Sequence, residues 1–400
     1  MTERTARELR FLSDLIGRVE GVEPDELVGA VAEVCGQAGF RGVGLYLVDQ
    51  ALQELVPVPA GGGLGAVDAD ADADTLAVEG SDAGRAFRSG ATVEVDEGAG
   101  TRVWVPVTEA AERSGVLTLV GRRLDAAELR WCADLGRLVA QLLRVRTRYT
   151  DVFTCVRRVQ PMSVAAELQW TLLPPLDFAT PGVAVAGMVE PAYDVGGDAF
   201  DYALNDGVLH VALFDSMGHA LDASLVAGLA VGSYRNARRR GFDLAATVAT
   251  IDEAVAVQHD GDRFVTAQIG RLDTRSGVYR WVNAGHPPPL IMRRGKVVDE
   301  LRSPPRLPLG LGGEPGIEAE RTLEEGDCLV VYSDGVTEAR DPGGGYFGAG
   351  ALAASLERAW GPPLSEVARA LVSDVLDHQQ GPLRDDATLL LVELAPAAGR

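Results

Sequence analysis

The chain has 400 residues, which exceeds the usual size of one domain and predicts two domains, or three if one is small. Apolar residues make up 46% of the sequence and charged residues 24%, so wholesale disorder and fibrous classes are disfavoured. Acidic residues number 58 against 37 basic ones, and the net charge of -21 argues against nucleic acid or an anionic membrane as the main partner.

We expect a cytoplasmic protein, because the sequence contains neither a membrane span nor a secretory signal. No stretch approaches the ~18–20 apolar residues of a membrane span, and MTERTARELR lacks the apolar core of a secretory signal. The cysteines form no CxxC pair, which argues against a disulfide framework or a thiolate zinc site. We expect them to be small buried hydrophobic residues.

Residues 1–145 are predicted to form a mixed α+β domain. Two helices are expected at 4–18 and 24–38, and three strands are expected at 43–49, 101–108 and 114–121. A long closing helix follows a capping box formed by Asp125 and Glu128. This order of elements resembles a GAF domain, which implies a sensory role and a small ligand that the sequence does not identify.

Residues 146–179 are predicted to be a helical connector. We expect the closing helix to continue until Pro161, which cannot sit inside a helix without breaking it. Helical character resumes at SVAAELQWTLL and stops before Pro174 and Pro175. The connector is either a plain spacer or a transmitter of movement, and its apolar spacing is compatible with a homodimer formed through it.

Residues 180–396 are predicted to form a second α+β domain, in which mostly antiparallel sheets are flanked by helices. Turn residues such as DTRSG at 273–277 join strand pairs as hairpins. The expected strands are 183–190, 207–215, 263–273, 277–285, 327–334 and 387–394, and the expected helices are 220–240, 243–258, 348–360 and 363–378.

Aspartates at the margins of these strands carry the chemical signal. Asp198 ends VGGD, where two glycines let the backbone turn tightly. Asp215 follows HVALF, Asp334 follows CLVVYS, and Asp385 and Asp386 precede the terminal strand. A carboxylate at the rim of an apolar sheet is costly to desolvate unless positive charge compensates it.

Four converging carboxylates would form a hard oxygen site that suits Mg²⁺ or Mn²⁺ rather than zinc or copper. Two such ions about 3.5–4 Å apart share a bridging water, lower its pKa and clamp a phosphoryl group for in-line attack. A hydrolytic phosphatase needs this chemistry. Each aspartate alone is also typical of a turn, so the prediction depends on the ordered set.

The ordered set resembles the SpoIIE/RsbU branch of the metal-dependent (PPM) serine/threonine phosphatases over about residues 163–394. The motifs that carry the resemblance follow the family order: AAELQWTLLPP at 165–175, EPAYDVGGDAFDY at 190–202, FDSMGHALDAS at 214–224, RFVTAQIGRLDTRSGVYRWVNAGHPPPL at 263–290, LPLGL at 307–311, GDCLVVYSDGVTEARDPGGGYFG at 326–348 and RDDATLLLVEL at 384–394.

The resemblance implies a role for each matched residue. Asp215 would bridge two ions, Asp198 would complete the shell of one, and the backbone carbonyl of Ser216 would bind the same ion. Asp334 and Asp385 would bind the other ion. Two further aspartates rank below these four as candidates: Asp201 and Asp386.

The chain departs from the family in the loop after Asp215. The family usually has GDxMGHG where this chain has FDSMGHA, so Phe214 and Ala220 replace glycines. A positive φ is costly at Ala220, which predicts a slightly altered loop. All four ligand positions remain acidic, which favours an active enzyme over a decayed one.

Two histidines near these motifs have competing interpretations. His219, four residues past Asp215, is either a general acid for the leaving serine oxygen or a turn residue, and the turn is favoured. His286 in NAGHPPP is expected to fix a turn at the edge of the domain.

By resemblance, the chain is a phosphoserine/phosphothreonine protein phosphatase of bacterial signalling that uses two Mn²⁺ or Mg²⁺ ions. Its expected substrate is a phosphorylated protein, typically an anti-anti-sigma factor of the STAS type, and a hydroxide that bridges the metals would attack phosphorus directly. The alternative is a non-catalytic, GAF-regulated binding module, a pseudophosphatase. A metal-dependent nuclease shares the carboxylates but conflicts with the acidic charge.

Overall fold

The structure is a computed structural model of the chain. It describes residues 3–61, 75–98, 100–194, 196–218, 220–304, 306–361, 363–381 and 383–396, with side chains from residue 11 onward. The chain divides into two compact units, Met1–Pro161 and Met162–Arg400. The division falls inside the predicted connector 146–179, so the residues of the connector belong partly to each unit.

The first unit is built on a six-stranded antiparallel sheet in the order β3-β2-β1-β6-β5-β4. Its strands are β1 (Gly42–Val48), β2 (Glu54–Pro57), β3 (Leu76–Ala77), β4 (Val93–Asp96), β5 (Thr101–Glu109) and β6 (Glu112–Gly121). Its helices are α1 (Glu3–Glu20), α2 (Leu27–Gln37), α3 (Asp82–Ser89), α4 (Ala126–Arg146) and α5 (Val152–Val156), with a short 3-10 helix at Pro24–Glu26.

Helix α4 begins where the sequence predicts it. Asp125 accepts hydrogen bonds from the N–H groups of Ala127 and Glu128, and the Glu128 carboxylate accepts one from the N–H of Asp125. These reciprocal bonds satisfy donors that the first turn of a helix leaves free. The layout is the expected mixed α+β arrangement, and its identification as a GAF domain stays a prediction.

The same helix ends earlier than predicted, at Arg146 rather than near Pro161. The Thr147 hydroxyl donates to the carbonyl of Leu143 (2.9 Å), and the Thr150 hydroxyl accepts from the N–H of Val152 (3.3 Å). Such side chains compete with the backbone bonds that would continue the helix. The prediction of one continuous helix was therefore wrong.

The second unit contains two antiparallel sheets. The first has the order β15-β12-β11-β10-β9 and the second has the order β14-β13-β16-β17-β8-β7. The strands are β7 (Asp177–Thr180), β8 (Val183–Glu190), β9 (Asp198–Asn205), β10 (Val208–Ser216), β11 (Val265–Asp273), β12 (Val278–Ala284), β13 (Leu290–Arg293), β14 (Lys296–Glu300), β15 (Ala319–Thr322), β16 (Asp327–Tyr332) and β17 (Ala387–Glu393).

Helices cover both sheets of this unit. They are α6 (Val164–Leu172), α7 (Ala220–Arg239), α8 (Leu244–His259), α9 (Asp334–Glu338), α10 (Gly348–Ala359) and α11 (Leu364–Gln379). Helices α7 and α8 pack on the first sheet, and α11 packs on β8 and β17 of the second. The predicted fold class, mostly antiparallel sheets flanked by helices, is confirmed.

The two sheets face each other across one apolar core. Phe200 and Leu213 from the first sheet and Leu329 and Leu390 from the second belong to the same buried cluster. Successive side chains of a strand point to opposite faces, so one face of the first sheet lines this core while the other meets the helices. Apolar runs bounded by turns in the sequence become these buried strands.

Two sequence expectations about membranes and thiols can be compared with the structure. Within the described ranges, no helix combines the length and the apolar composition needed to cross a bilayer. Cys35, Cys132 and Cys328 are buried, as predicted, whereas Cys155 is half-buried.

Candidate active site

Side chains alternate between the two faces of each strand, and this alternation determines which aspartates point between the sheets. On β10, Leu213 faces the other sheet and Phe214 faces the helices, so Asp215 returns to the inter-sheet side. On β9, Phe200 faces the other sheet, and Asp198 lies two residues before it on the same side. Both carboxylates therefore lie at the end of the core between the sheets.

Asp198 and Asp215 are direct neighbours in the first sheet. They are paired across β9 and β10, and Thr266 of β11 is paired with Asp215 on its other side. Asp198 is only 3% exposed, whereas Asp215 is half-buried. Opposite residues of an antiparallel pair lie about 4.5–5.5 Å apart, so the two carboxylates share one surface.

The second sheet supplies the other two aspartates. Asp334 begins α9 just after β16, and Asp385 immediately precedes the turn into β17, the neighbour of β16. A Cβ atom at Gly335 would lie 2.1 Å from the carbonyl oxygen of Asp386, so only glycine lets α9 approach this turn so closely. The SDG sequence thus places Asp334 beside Asp385.

Asp386 joins the two sheets by hydrogen bonds. Its carboxylate oxygen Oδ2 accepts bonds from the backbone N–H groups of Gly196 (3.0 Å), Gly197 (2.6 Å) and Asp198 (3.2 Å). A Cβ atom at Gly197 would lie 2.7 Å from the carbonyl oxygen of Ser216, which explains the glycine there. Asp386 therefore positions the GGD turn, and the turn places Asp198 and the Ser216 carbonyl side by side.

The pKa values report the concentration of negative charge. Burial, followed by the charges of Asp334, Asp385 and Asp386, raises the pKa of Asp215 to about 7. Burial, followed by the charges of Asp215 and Asp386, raises the pKa of Asp198 well above its usual range. Burial and the charge of Asp385 also raise the pKa of Asp334. The predicted aspartates are thus close enough to repel one another.

This donor set fits hard divalent cations. The Asp198 Oδ2 atom is buried and has no hydrogen-bond partner among the described residues, which is costly for a carboxylate unless a cation meets it. Carboxylate and carbonyl oxygens are the ligands that Mg²⁺ and Mn²⁺ prefer. In the part of the chain that the structure describes, no group of three or more histidine, cysteine, aspartate or glutamate side chains is arranged so that it could hold a metal ion by itself.

Asp201 lies apart from the other aspartates. It is three residues after Asp198 on β9, so it points to the opposite face, toward α7. Its carboxylate is 1% exposed as a residue and pairs with Arg235 (2.8 Å) and Arg238 (2.7 Å). These contacts make it a structural ion pair rather than part of the site.

The histidines near the site differ in what can be said of them. His219 lies outside the described residues. His286 holds a turn, as predicted, because its N–H donates to the Asn283 side chain (2.9 Å), but it is buried rather than at the edge. Its Nδ1 lies 2.8 Å from the Thr266 hydroxyl. Sequence reasoning missed Thr266, although its place in RFVTAQIG puts a polar residue on the inter-sheet face.

In the loop after Asp215, Ala220 has a glycine-type backbone conformation. Ala220 has a φ of 55°, in the left-handed region that favours glycine. A single non-glycine residue in this conformation costs about 1–2 kcal/mol. The alanine found there in place of the family glycine therefore leaves the first residue of α7 strained.

The raised pKa of Asp215 predicts how stability depends on pH in metal-free protein. The pKa of Asp215 is about 3.9 in the unfolded chain and about 7 in the folded chain. Between these two pH values the folded state binds more protons at this carboxyl than the unfolded state does, so the contribution of Asp215 to stability falls as pH rises. Asp215→Asn should remove this contribution. In EDTA, we expect the variant to melt at a higher temperature than the wild type. Its free energy of unfolding should exceed that of the wild type by a margin that grows from pH 5 to pH 7.5, to about 2–4 kcal/mol.

Melting curves of both proteins over this pH range, recorded by circular dichroism, would measure that margin. Groups that titrate elsewhere, such as His210 and His286, are present in both proteins and cancel in the comparison. A margin that stays constant or shrinks with pH would contradict the assignment of a raised pKa to Asp215.

Comparison with known proteins finds a family model that matches much of the second unit. Residues 205–395 match the family model described as Stage II sporulation protein E (SpoIIE). The chain is 22% identical to the phosphoserine phosphatase RsbU of Bacillus subtilis over 233 residues, 58% of this chain and 69% of RsbU. It is 24% identical to protein IcfG of Synechocystis over 238 residues, 52% of this chain but only 37% of IcfG.

Two solved structures resemble part of the chain. The SiaA-PP2C domain of Pseudomonas aeruginosa has a TM-score of 0.49 at 24% identity, over 57% of this chain and 94% of that domain. The PP2C phosphatase domain of SpoIIE from Bacillus subtilis, with a fragment of its regulatory domain, has a TM-score of 0.48 at 19% identity, over 54% and 65%. Within the C-terminal unit, residues 205–395 therefore match the SpoIIE family model, and the curated relatives that align with the chain include a phosphoserine phosphatase.

Proposed function

We propose that the chain hydrolyses phosphoserine or phosphothreonine in a protein substrate with two Mn²⁺ or Mg²⁺ ions. Asp198, Asp215 and the Ser216 carbonyl would hold one ion, and Asp334 and Asp385 would hold the other, with Asp215 shared. The observation that supports this best is the convergence of carboxylates from two facing sheets, which raise each other's pKa.

The residues around the ligands would hold them in place during the reaction. When bound, the two ions would supply an activated water molecule and neutralise charge on the phosphoryl oxygens. Asp386 keeps the GGD turn fixed through three backbone N–H groups, and the half-exposed Asp215 and exposed Asp385 leave the site open to substrate. Direct attack on phosphorus needs no nucleophilic side chain, so no phosphoenzyme is expected.

Helix α6 is a candidate for regulating this geometry. The Gln169 side-chain N–H donates to the carbonyl oxygen of Asp198, and the Trp170 indole N–H donates to that of Ala192 (2.8 Å). The Ser224 hydroxyl of α7 donates to the Gly196 carbonyl (2.7 Å). A shift of α6 would therefore move the segment that carries Asp198. We propose that the GAF-like unit, its small ligand or a homodimer formed through the connector acts by this route.

The proposed substrate is a phosphorylated anti-anti-sigma factor of the STAS type. Support comes from the resemblance to the RsbU and SpoIIE branch, in which the curated relative RsbU is a phosphoserine phosphatase. The acidic chain, with a net charge of -21, offers no general attraction for polyanions such as nucleic acid.

The test is a phosphate-release assay on the full chain. The substrates would be a phosphoserine protein of the STAS type and a phosphoserine peptide, each titrated with Mn²⁺ and with Mg²⁺. We expect release that depends on either ion and stops in EDTA. A chain that binds the phosphoprotein in the presence of metal without releasing phosphate would instead be the non-catalytic binding module.

A further inference from the structure

We propose that His286 is a positioning residue that orients the Asp215 carboxylate through the hydroxyl of Thr266. The inference rests on the proposed role of Asp215 in the site. It concerns a side chain about 70 residues further along the chain, on the turn after β12, which packs behind the carboxylates. Three contacts in this part of the second unit support it.

The first contact lies within the first sheet. Thr266 of β11 is paired with Asp215 of β10, and both side chains point between the sheets. The Thr266 hydroxyl donates toward Asp215 Oδ2 over 3.4 Å, a long bond. Thr266 is thus the uncharged donor that faces Asp215 on the side away from Asp198.

The second contact fixes the direction of that hydroxyl. His286 Nδ1 lies 2.8 Å from Thr266 Oγ1, well within hydrogen-bond distance. A hydroxyl has only one hydrogen to donate. Thr266 can therefore donate a hydrogen bond to Asp215 only if His286 Nδ1 is protonated and its N–H donates a hydrogen bond to Oγ1. Burial lowers the pKa of His286 to about 3, so the ring is neutral and bears a single proton.

The third contact anchors the ring between the sheets. The Asn283 side chain accepts a hydrogen bond from the backbone N–H of His286 (2.9 Å) and donates one to the backbone carbonyl of His286 (2.7 Å). The turn that carries the ring is therefore held by both backbone groups of His286. The other ring nitrogen, Nε2, is buried and has no hydrogen-bond partner among the described residues. With the proton on Nδ1, Nε2 is an unprotonated nitrogen and needs no acceptor.

The rival tautomer makes the inference testable without any metal. The ring also lies near the backbone carbonyl of Tyr332, two residues before Asp334, and a proton on Nε2 would be directed there. Thr266 would then donate to Nδ1, and Asp215 would lose its donor. Only one of the two arrangements orients Asp215.

The first experiment is nitrogen NMR of the metal-free full chain with ¹⁵N-labelled histidine. The chain has only five histidines, so His286 is assigned by the signal that His286→Gln removes. We expect a neutral ring with Nδ1 protonated and Nε2 unprotonated. A ring with Nε2 protonated would overturn the proposal, whatever the activity of the enzyme.

The second experiment measures Mn²⁺ affinity by calorimetry. Thr266→Val keeps the shape but removes the hydroxyl, and we expect roughly 10–100-fold weaker binding, the usual effect of losing a partner of a metal ligand. Thr266→Ser should recover most of the affinity. The matched control is Thr274→Val, which removes a hydroxyl bonded to the Gly207 carbonyl just after β11 (2.8 Å). Equal affinities of wild type and Thr266→Val would overturn the proposal.

These outcomes separate the inference from the proposed function. If the wild-type chain bound Mn²⁺ but released no phosphate, the proposed function would fail while the tautomer and the affinity series still tested the role of His286. If phosphate release were normal and the tautomer were wrong, only the inference would fail.

Discussion

Asp215→Asn is expected to lose at least about 100-fold in phosphate release at a fixed Mn²⁺ concentration, since even outer partners of metal ligands are worth 10–100-fold. Asp215 lies between Asp198 on its own sheet and the acids of the second sheet, all of which influence its pKa or are influenced by it. Asparagine keeps the shape and removes the charge that two cations would share. Phosphate release at increasing Mn²⁺ concentration, together with calorimetry of Mn²⁺ binding, gives the measurement.

The control for this variant is Asp299→Asn. Asp299 pairs with Arg321 (2.7 Å), and both side chains are a third or more exposed, so the pair contributes at most about 1 kcal/mol. We expect its phosphate release and Mn²⁺ affinity to equal those of the wild type. Full activity in Asp215→Asn, with the control also active, would end the two-metal account of this site.

Asp201→Ala is expected to destabilise the second unit by about 3–5 kcal/mol, because it removes the buried carboxylate that pairs with two partly buried guanidinium groups. Asp201 of β9 receives hydrogen bonds from Arg235 and Arg238 of α7, and Arg235 also donates to the carbonyl of Leu172 at the end of α6. One carboxylate thus holds a strand and two helices together. Thermal melting of the metal-free chain would measure the loss.

An exposed pair gives the matched control for this loss. Arg280 and Glu320 pair across β12 and β15 with about half of each side chain exposed, so Glu320→Ala should cost no more than about 1 kcal/mol. The folded fraction of Asp201→Ala should retain Mn²⁺ affinity, since Asp201 faces away from the site. A melting temperature equal to that of Glu320→Ala would show that the buried pair contributes little.

The strands that carry the site could be predicted because their apolar runs end abruptly at turn residues. The runs before Asp215 and Asp334 and the run after Asp386 became β10, β16 and β17. The strand β9 was missed, because DAFDYALN alternates polar and apolar residues less clearly. Because β9 was not predicted, the sequence did not indicate which of its residues face the other sheet. It could therefore not distinguish Asp198, which belongs to the site, from Asp201, which pairs with arginines.

Two further differences arise from contacts between residues far apart in the chain. The position of His286 behind Asp215 depends on the pairing of β10 with β11 and on a turn after β12, none of which a local pattern specifies. The early end of α4 depends on hydroxyl groups at Thr147 and Thr150, which apolar periodicity does not weigh. Sequence patterns predict elements better than they predict the partners of polar side chains.

The proposed ligands come from two sheets, so cation binding and folding would form one coupled equilibrium. Ions that bind only when the sheets are correctly apposed stabilise that apposition by mass action, by about 2.7 kcal/mol at a concentration one hundred times the dissociation constant. Conversely, anything that loosens the packing of one sheet on the other weakens cation affinity by the same free energy. The divalent-cation level of the cell would thus act on the rigidity of this domain as well as on its rate of turnover.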